Sequence, residues 1–408
     1  MSRSISRRSD WDQGPASLCR PRRPSQGKFY NPVMLRVGSA DEGSEQEATG
    51  RAPVRRLRLE DTMQTSVSVQ PERKDWITLR PSGRSSWLEH VAGRWSTRVI
   101  GQPQATDSIL RLLQRIEVHA RQPRRTMGSV LLLGPPGCGK THSVEALAEV
   151  LLGNPSALLK VNCAEYQQQH EIARLVGAPP GYIGHADTEP VFTRENLEHH
   201  RTPEFPYTLI LFDEIEKAHY SLYSLLLGVL DRAEMNDGRN RHVDFSSCLF
   251  FFTSNIGSKE SLGATSASGF IAPLAEEEAK ARHFRNVSMR ALKHHFPPEF
   301  LRRIEETIVY QPLRPSDLKK ILDLELAKAS RVFRQHPTTP FEVEFTSGAK
   351  SLVLHHGCDT EYGAAHLQHT LACELQDPLY RLMVTGQVRA GDKIGVFAKG
   401  SELVFRRS

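Results

Sequence analysis

One glycine-rich segment carries a lysine and a hydroxyl residue at the spacing that binds phosphate groups. Residues 134–141 read GPPGCGKT and fit the pattern GxxxxGKS/T, in which backbone N–H groups close around phosphate oxygens. Lys140 would place a positive charge on the β- and γ-phosphates, and the Thr141 hydroxyl would bind Mg²⁺. The segment therefore predicts a nucleoside triphosphate site. Its predicted binding residues are Gly134, Pro135, Pro136, Gly137, Cys138, Gly139, Lys140, Thr141 and His142.

Two adjacent carboxylates follow a short apolar strand and would complete this chemistry. Asp213 and Glu214 come directly after the apolar residues 209–212. At the end of a strand Asp213 would hold Mg²⁺ through water. Glu214 would polarise the attacking water, because phosphoryl transfer to water needs a positioned base and little covalent chemistry. Two acids that merely end a strand are the alternative, and the nearby phosphate loop favours the functional interpretation. The predicted metal ligands are Thr141 and Asp213.

These groups must be positioned by strands and helices that alternate along the chain from about residue 99. Short apolar strands separated by helices predict an α/β fold, with a mostly parallel sheet covered by helices on both faces. The predicted strands are Ser129–Leu133, Ala157–Val161, Tyr207–Phe212, Ser247–Thr253 and Thr307–Gln311. The predicted helices between them include Ser143–Leu152 and Tyr220–Arg232.

The pattern changes after Pro315 and predicts a separate small α+β domain. In chain order its predicted elements are the helix Ser316–Arg334, the strand Phe341–Phe345, the helices Gly348–His355 and Ala364–Thr385, and the strands Lys393–Val396 and Leu403–Arg406.

The first 73 residues are rich in Ser, Arg, Pro, Gly and Glu without a period of 2 or 3.6, which predicts a disordered basic tail. The first 60 residues hold 12 Lys/Arg and 7 Asp/Glu, so most of the net charge of +6 lies there. Three interpretations of this tail stay open: a solvated tail or mis-assigned start, an arm that binds a partner or RNA, or an organelle transit peptide. Asp10 and Asp12 argue against the transit peptide. Because the rest of the chain is close to neutral, nucleic acid is not an expected partner.

Composition also excludes other classes of protein. The apolar runs 130–133 and 247–253 are far shorter than the roughly 20 residues of a membrane helix, and the N-terminus lacks the apolar core of a secretory signal. Six widely spaced cysteines form no CxxC pair, which argues against a zinc finger and a disulfide framework. A cytoplasmic location is therefore expected.

Residues 99 to about 396 resemble the AAA+ ATPase module of the Clp unfoldases, in particular the second ATPase ring of ClpB, ClpA and ClpC. Several segments carry the resemblance together and in order: 99–102 (VIGQ), 134–141 (GPPGCGKT), 177–184 (GAPPGYIG), 213–219 (DEIEKAH), 236–239 (NDGR) followed by 243–245 (VDF), 253–255 (TSN) and 298–305 (PEFLRRIE).

The resemblance implies further site residues. Val99 and Ile100 would lie on the adenine side of the nucleotide. Asn255 would orient the attacking water or the γ-phosphate, and Arg303 would reach the neighbouring subunit's nucleotide as an arginine finger, with Arg302 as the alternative. The predicted catalytic residues are Glu214, Asn255 and Arg303. The expected assembly is a homo-oligomeric ring, a hexamer as in the family, with its sites between subunits.

The resemblance also implies a substrate-gripping pore loop at Gly181, Tyr182, Ile183 and Gly184. Glycines on both sides make the backbone around Tyr182 mobile and exposed, so its ring is suited to a sequence-blind grip on an extended polypeptide. A structural turn tyrosine is the alternative. Unfolded or misfolded polypeptides are the expected substrates.

Two positions depart from the family pattern. The sensor 2 motif of the family is Gly-Ala-Arg, and here Ala365 follows Gly363 and Ala364, so the arginine is missing. The shorter ring of His366 would replace it poorly. Ser268-Gly-Phe270 lies where relatives that work with a peptidase carry a docking loop, with serine in place of the aliphatic residue. An ordinary Ser/Gly loop is the alternative there.

The predicted function is an ATP-dependent unfoldase of the Clp type, with ATP and Mg²⁺ as cofactors. The alternatives are an ATP-binding regulatory subunit of a ClpP-like protease, with a peptidase or adaptor as partner, and a nucleotide-gated scaffold with weak hydrolysis. The predicted organisation is a tail (1–73), a linker (74–98), a large ATPase domain (99–314) and a small C-terminal domain (315–408).

Overall fold

The structure is a computed structural model that describes residues 83–118, 125–178, 189–258, 274–358 and 363–408. All of these residues belong to one compact unit, Leu79–Ser408. The predicted tail (1–73), the pore loop (181–184) and the Ser268–Phe270 segment lie outside the described residues.

The strands of the described chain alternate with helices through the first two thirds of this unit. The strands are β1 (Gly128–Leu133), β2 (Leu159–Asn162), β3 (Thr208–Asp213), β4 (Glu234–Asn236), β5 (His242–Asp244), β6 (Cys248–Ser254), β7 (Glu306–Val309), β8 (Glu342–Phe345), β9 (Lys393–Lys399) and β10 (Glu402–Arg407). The helices are α1 (Ser86–Ser96), α2 (Pro103–Glu117), α3 (Lys140–Leu152), α4 (Ala173–Val176), α5 (Arg194–Glu198), α6 (Tyr220–Arg232), α7 (Leu274–His295), α8 (Pro298–Leu301), α9 (Pro315–Arg334), α10 (Ser347–Gly357), α11 (Gly363–Leu371) and α12 (Asp377–Val384).

The central sheet has five parallel strands in the order β2-β3-β6-β1-β7. Its side chains alternate between two cores, because successive residues of a strand point to opposite faces. Leu132 and Leu211 belong to the core that includes residues of α1, α2 and α3, whereas Leu133 and Phe212 belong to the core on the side of α6, α7 and α8. The predicted parallel α/β fold with helices on both faces is confirmed.

The expected linker over 74–98 differs from the structure, which places helix α1 in its described part. Ser85 caps this helix by accepting a hydrogen bond from the Leu88 backbone. Leu88, Val91 and Trp95 are buried, and the Trp95 indole donates to the Ser143 carbonyl at 3.1 Å. These apolar residues recur at three- and four-residue spacing along one face of a helix, so the segment packs into the core of the ATPase domain.

The C-terminal part forms the predicted small α+β domain around its own core. Its sheet has the order β10-β9-β8, with β9 antiparallel to β10 and parallel to β8. Leu322 of α9 and Val396 of β9 are fully buried in this core. The single helix predicted over Ala364–Thr385 is divided, because a π-helical turn (Ala372–Gln376) separates α11 from α12. Among the described residues, no helix is long and apolar enough to cross a membrane.

Candidate functional site

A cavity of about 630 Å³ opens at the carboxyl ends of β1, β3 and β6, between the large domain and helices α9 and α11. Parallel strands end at the same edge of a sheet, and ligands of open α/β sheets bind at this edge. The cavity is lined by the predicted metal ligand Asp213, by the predicted catalytic residues Glu214 and Asn255, and by most of the predicted nucleotide-binding residues: Val99, Ile100, Pro136, Gly137, Cys138, Gly139, Lys140, Thr141 and His142.

Lys140 begins helix α3, and its side chain turns back into the phosphate loop. Its Nζ donates to the carbonyls of Gly134 (2.8 Å) and Pro135 (2.7 Å) and to Asn255 Oδ1 (2.8 Å). Gly134 and Pro135 thus hold the Lys140 ammonium group through their backbone carbonyls and do not themselves line the cavity. Gly139 precedes Lys140 with a φ of 96°, and a Cβ atom there would meet open space. The N-terminus of a 13-residue helix therefore faces a cradle with a lysine at its base.

The predicted metal ligands lie side by side. The Thr141 hydroxyl donates to Asp213 Oδ1 at 2.8 Å, and the Thr253 hydroxyl donates to the same oxygen at 2.6 Å. Asp213 Oδ2 is 3.6 Å from the Lys160 ammonium group. Hydroxyl and carboxylate oxygens are hard donors of the kind that Mg²⁺ prefers.

Glu214 occupies a left-handed backbone conformation, with a φ of 57° and a ψ of 50°. Its N–H donates to the Thr253 hydroxyl at 2.9 Å, which holds this uncommon conformation in place. Its carboxylate accepts hydrogen bonds from the Asn255 amide (3.3 Å) and from the Lys217 ammonium group (2.5 Å). The ion pair with Glu214 raises the pKa of Lys217 above its ordinary value. Backbone strain of this kind clusters at functional sites.

The Asn255 side chain connects Lys140 of the phosphate loop to Glu214. Its Oδ1 accepts from Lys140, and its Nδ2 donates to Glu214. Its backbone N–H donates to Glu216 Oε1 at 3.0 Å, which fixes the end of β6 against the turn after Glu214.

Gln102 fastens the expected adenine side to the phosphate loop. It is buried, and its amide donates to the carbonyls of Cys138 (3.3 Å) and Gln311 (2.9 Å). The Gln311 N–H in turn donates to Gln102 Oε1 at 3.1 Å. His142, which follows Thr141, contacts the Arg98 carbonyl at 3.3 Å through Nε2.

The small domain closes the other side of the cavity. The Ala364 N–H donates to the Gly137 carbonyl at 3.0 Å, so α11 rests on the phosphate loop. Gly363 has a φ of 52°, and a Cβ atom there would approach the same carbonyl to 3.0 Å. Ala365 lines the cavity with a methyl group where the resemblance leads one to expect an arginine.

Arg303 lies away from its own chain's nucleotide cavity. Its guanidinium group forms an ion pair with Asp231 at the end of α6, and both side chains are 42% exposed. The two residues line a second cavity of about 210 Å³ together with Arg302. A guanidinium at this position cannot contact a nucleotide bound beside Lys140 in the same chain.

Cys138 is buried inside the phosphate loop. Burial raises the pKa of its thiol above the ordinary value, although the nearby Lys140 lowers it. A thiol that stays protonated is a poor nucleophile, so Cys138 is suited to fill space rather than to react. Within the described residues no group of three or more His, Cys, Asp or Glu side chains has the arrangement of a metal site.

The residues of the cavity fit a Mg-nucleotide in charge and shape. The cradle offers backbone N–H groups at a helix N-terminus and one buried lysine, which suits phosphate. The Thr141–Asp213 pair offers oxygen donors beside it. The fold and the cavity together define a P-loop ATPase module.

Comparisons with protein families identify this class more closely. Residues 125–307 match the family described as AAA domain (Cdc48 subfamily), and residues 313–396 match the C-terminal, D2-small domain, of ClpB protein. The chain therefore belongs to the AAA+ ATPases, in their Clp branch. The resemblance to the second ATPase ring of Clp proteins is confirmed.

Individual relatives agree with this assignment. The chain is 34% identical over 327 residues to the chaperone protein ClpB of Rhodopseudomonas palustris. The aligned region covers 79% of this chain and 34% of the relative. It is 35% identical over 309 residues to the ATP-dependent Clp protease ATP-binding subunit ClpC of Staphylococcus aureus, or 76% of this chain and 36% of the relative. The chain thus spans about a third of the length of these relatives.

A solved structure has a similar fold. The closed state of Hsp104 with ATPγS and FITC casein, determined by electron cryomicroscopy, matches with a TM-score of 0.65 and 25% sequence identity. The match covers 78% of this chain and 51% of that chain.

Several residues that line or support the cavity were not predicted from the sequence as site residues. Gln102 supports the phosphate loop without lining the cavity, and the only signal for it was its place in the VIGQ segment that begins with Val99 and Ile100. Leu313, Ile321 and Leu324 come from the small domain, and no local pattern marks them.

Proposed function

We propose that the chain hydrolyses Mg-ATP at sites shared between the subunits of a homo-oligomeric ring, a hexamer, and uses this hydrolysis to pull unfolded polypeptide through a central pore. The observation that carries the hydrolysis is the connected set of Lys140, Asn255 and Glu214 around one cavity. Thr141 and Asp213 would hold the magnesium ion, and Lys140 with the backbone of the loop would hold the phosphates.

Glu214 is suited to orient the attacking water. Its carboxylate lies on the cavity wall and is fixed from two sides by Asn255 and Lys217. When bound, the metal ion supplies charge neutralisation at the phosphates. The protein side of the reaction is then the positioning of water and phosphate, which accounts for most of the rate enhancement in phosphoryl transfer.

The position of Arg303 supports a site shared between subunits. The side chain is half-exposed and lies beside Asp231, outside its own cavity, so the chain's own site has no arginine finger from that segment. A finger supplied by another subunit is worth about 10³–10⁵-fold in rate in related chemistry. Hydrolysis would then depend on ring assembly.

The hydrolysis is tested by steady-state ATP turnover of the full chain and of Glu214→Gln. We expect Glu214→Gln to lose turnover by about 10²–10⁴-fold, the usual contribution of a positioned base, while it still binds a fluorescent ATP analogue. Turnover of Glu214→Gln at the wild-type rate would contradict the role of Glu214.

The threading is tested separately with Tyr182, which lies outside the described residues. Tyr182→Ala should keep ATP turnover and lose the unfolding of a labelled client. Tyr182→Phe keeps the aromatic side chain and should retain most of the unfolding activity. Loss of turnover and unfolding together in Tyr182→Ala would contradict the gripping role.

A nucleotide-gated scaffold is a second candidate, and Ala365 favours it. A methyl group on the small-domain wall cannot stabilise charge on a nucleotide, so domain closure would be weakly coupled to hydrolysis. ATP binding that changes the oligomeric state without turnover would support the scaffold over the motor.

A regulatory subunit of a ClpP-like protease stays a further proposal. Some of the relatives, such as ClpC, are named as ATP-binding subunits of a protease. Phe270, the residue expected to dock, lies outside the described residues. Binding of a ClpP-type peptidase that is lost in Phe270→Ala would support this function.

A further inference from the structure

Helix α6 begins six residues after Glu214, the residue expected to orient water. Tyr223, in its first turn, is buried with 6% of its surface exposed. Its hydroxyl donates to the Ile215 carbonyl at 2.6 Å, and burial raises its pKa, so the group stays a proton donor. Ile215 directly follows Glu214. The Tyr223 hydroxyl is therefore fastened to the turn that holds Glu214 in its left-handed conformation.

The ring of the same residue contacts the segment that carries the arginine finger. Tyr223 and Phe300 meet edge-on, with ring centroids 5.3 Å apart and planes at 65°. Phe300 is fully buried in α8, and the Arg303 N–H donates to the Phe300 carbonyl at 3.0 Å. The ring of Tyr223 thus packs on the residue that begins the turn ending in Arg303.

The ring of Tyr223 also meets Phe296, the residue directly after α7, edge-on, with centroids 5.8 Å apart. The contacts with Ile215 and Phe300 use different parts of the side chain. A phenylalanine at this position would keep the ring contact with Phe300 and lose only the hydrogen bond to Ile215. A smaller residue at 300 would lose the ring contact and leave the hydrogen bond in place. The hydroxyl therefore supports the turn that follows Glu214, and the ring packs against the segment that carries Arg303.

We propose that Tyr223 is a positioning residue that holds Glu214 of one shared site and Arg303 of the next site in a fixed relation within one subunit. Its hydroxyl fixes the turn at Ile215, and its ring fixes α8 through Phe300. The inference rests on the proposed function, because it assigns Glu214 and Arg303 of the same chain to two different sites. Tyr223 itself does not line the nucleotide cavity.

Two variants that are each expected to be inactive alone allow the contact near Glu214 and the contact near Arg303 to be tested separately. An Arg303→Ala chain keeps Glu214 and can only provide sites, and a Glu214→Gln chain keeps Arg303 and can only provide fingers. In a closed ring with random mixing at equal amounts, about a quarter of the interfaces would combine an intact site with an intact finger. ATP turnover of this parental mixture is the reference.

Tyr223→Phe is then added to one chain at a time. In the Arg303→Ala chain we expect it to lower kcat of the mixture about five- to tenfold, the rate equivalent of one hydrogen bond. In the Glu214→Gln chain it should change kcat less than about twofold. KM for ATP should stay unchanged in both mixtures, because Tyr223 does not touch the cavity.

Phe300→Leu gives the opposite pattern and serves as the matched variant. It should lower kcat when it is in the Glu214→Gln chain, and it should leave kcat nearly unchanged in the Arg303→Ala chain. The melting temperature and the assembly state of each chain are measured beforehand. If Phe300→Leu does not fold, the two Tyr223→Phe mixtures still test the hydroxyl contact, and the inference fails if that contact has no effect.

The results separate the inference from the function on which it rests. An inactive parental mixture would overturn the shared site, and with it the inference. An active parental mixture in which Tyr223→Phe has equal effects in both chains, or none in either, would overturn the inference alone. Loss only in the site-providing chain would support it.

Discussion

Gly238, in the turn between β4 and β5, supports the base of the expected pore loop. Its N–H donates to the Val176 carbonyl at 2.6 Å. A Cβ atom at Gly238 would lie 2.4 Å from the Gly177 oxygen, 2.6 Å from the Gly177 carbonyl carbon and 3.0 Å from the Ala178 carbonyl carbon. All three are backbone atoms, so no side-chain rotation relieves the contact. The residues that follow Ala178 lead directly to Tyr182 in the sequence.

Gly238→Ala should therefore displace the start of the pore loop. Ordinary contact begins at 3.4 Å, so Gly177 must retreat by about 1 Å. Overpacking of this kind costs about 1–3 kcal/mol in unfolding free energy. Gly238 does not line the nucleotide cavity. We expect ATP turnover to stay within about twofold, since positioned phosphoryl transfer depends on groups elsewhere. Unfolding of the client should fall more than about tenfold, because misplacement by 1 Å has large effects on positioned groups.

The assay measures ATP turnover and the unfolding of a labelled client in the same samples. Gly93→Ala is the matched control, because a Cβ atom there meets nothing within 4 Å and the residue lies inside helix α1. That control should raise the unfolding free energy by about 0.5–1 kcal/mol and change neither activity. Client unfolding at the wild-type rate by Gly238→Ala would refute the reasoning. A parallel fall of both activities would show that the substitution acts through stability.

Three further predictions concern the cavity wall, the support of the phosphate loop and the β4–β5 turn. Ala365→Arg should raise ATP turnover by up to about tenfold, because it adds positive charge to the cavity wall; unchanged turnover would show that the missing arginine does not limit the rate. Gln102→Ala should lower the unfolding free energy by about 1–3 kcal/mol and weaken ATP binding, measured by denaturant titration and calorimetry, because it removes the buried amide that donates to the Cys138 and Gln311 carbonyls. Asp237 has a side chain that is 1% exposed, and although its burial raises its pKa, hydrogen bonds from Arg241 outweigh this and lower it. Because the folded pKa lies below the unfolded value of about 3.9, this carboxylate stabilises the fold above about pH 4, and the contribution is lost as the pH falls through the folded pKa. Asp237→Asn should therefore lower the melting temperature at pH 7, with a difference that shrinks below pH 4.

The central sheet and the phosphate loop could be predicted because their signals are local. Buried parallel strands appear as short apolar runs, and the glycines, Lys140 and Thr141 lie next to one another in the sequence. The strand ends shift by only one or two residues, as in β2, where Leu159 replaces Ala157 as the first residue. Asp213 could be predicted because it directly follows such a run.

The remaining features depend on contacts between distant segments. Helix α1 has a helical signal of only three buried apolar residues, Leu88, Val91 and Trp95, and their burial depends on contacts with α2 and α3 that the local sequence does not indicate. The ion pair between Asp231 and Arg303 joins the end of one helix to a segment about 70 residues later, and its formation depends on the packing of α6 against α8. The hydrogen bond from Tyr223 to Ile215 is close in sequence, but it exists only because α6 turns back over the preceding turn.

The most direct test of a site shared between subunits measures ATP turnover per chain and the mass of the assembly in the same samples, over a range of protein concentrations. Because Arg303 lies outside its own cavity, we predict that turnover rises in step with the formation of the ring, and that Arg303→Ala forms the ring without this rise. Turnover per chain that is constant from the monomer upward, or an Arg303→Ala ring that hydrolyses ATP at the wild-type rate, would contradict the account.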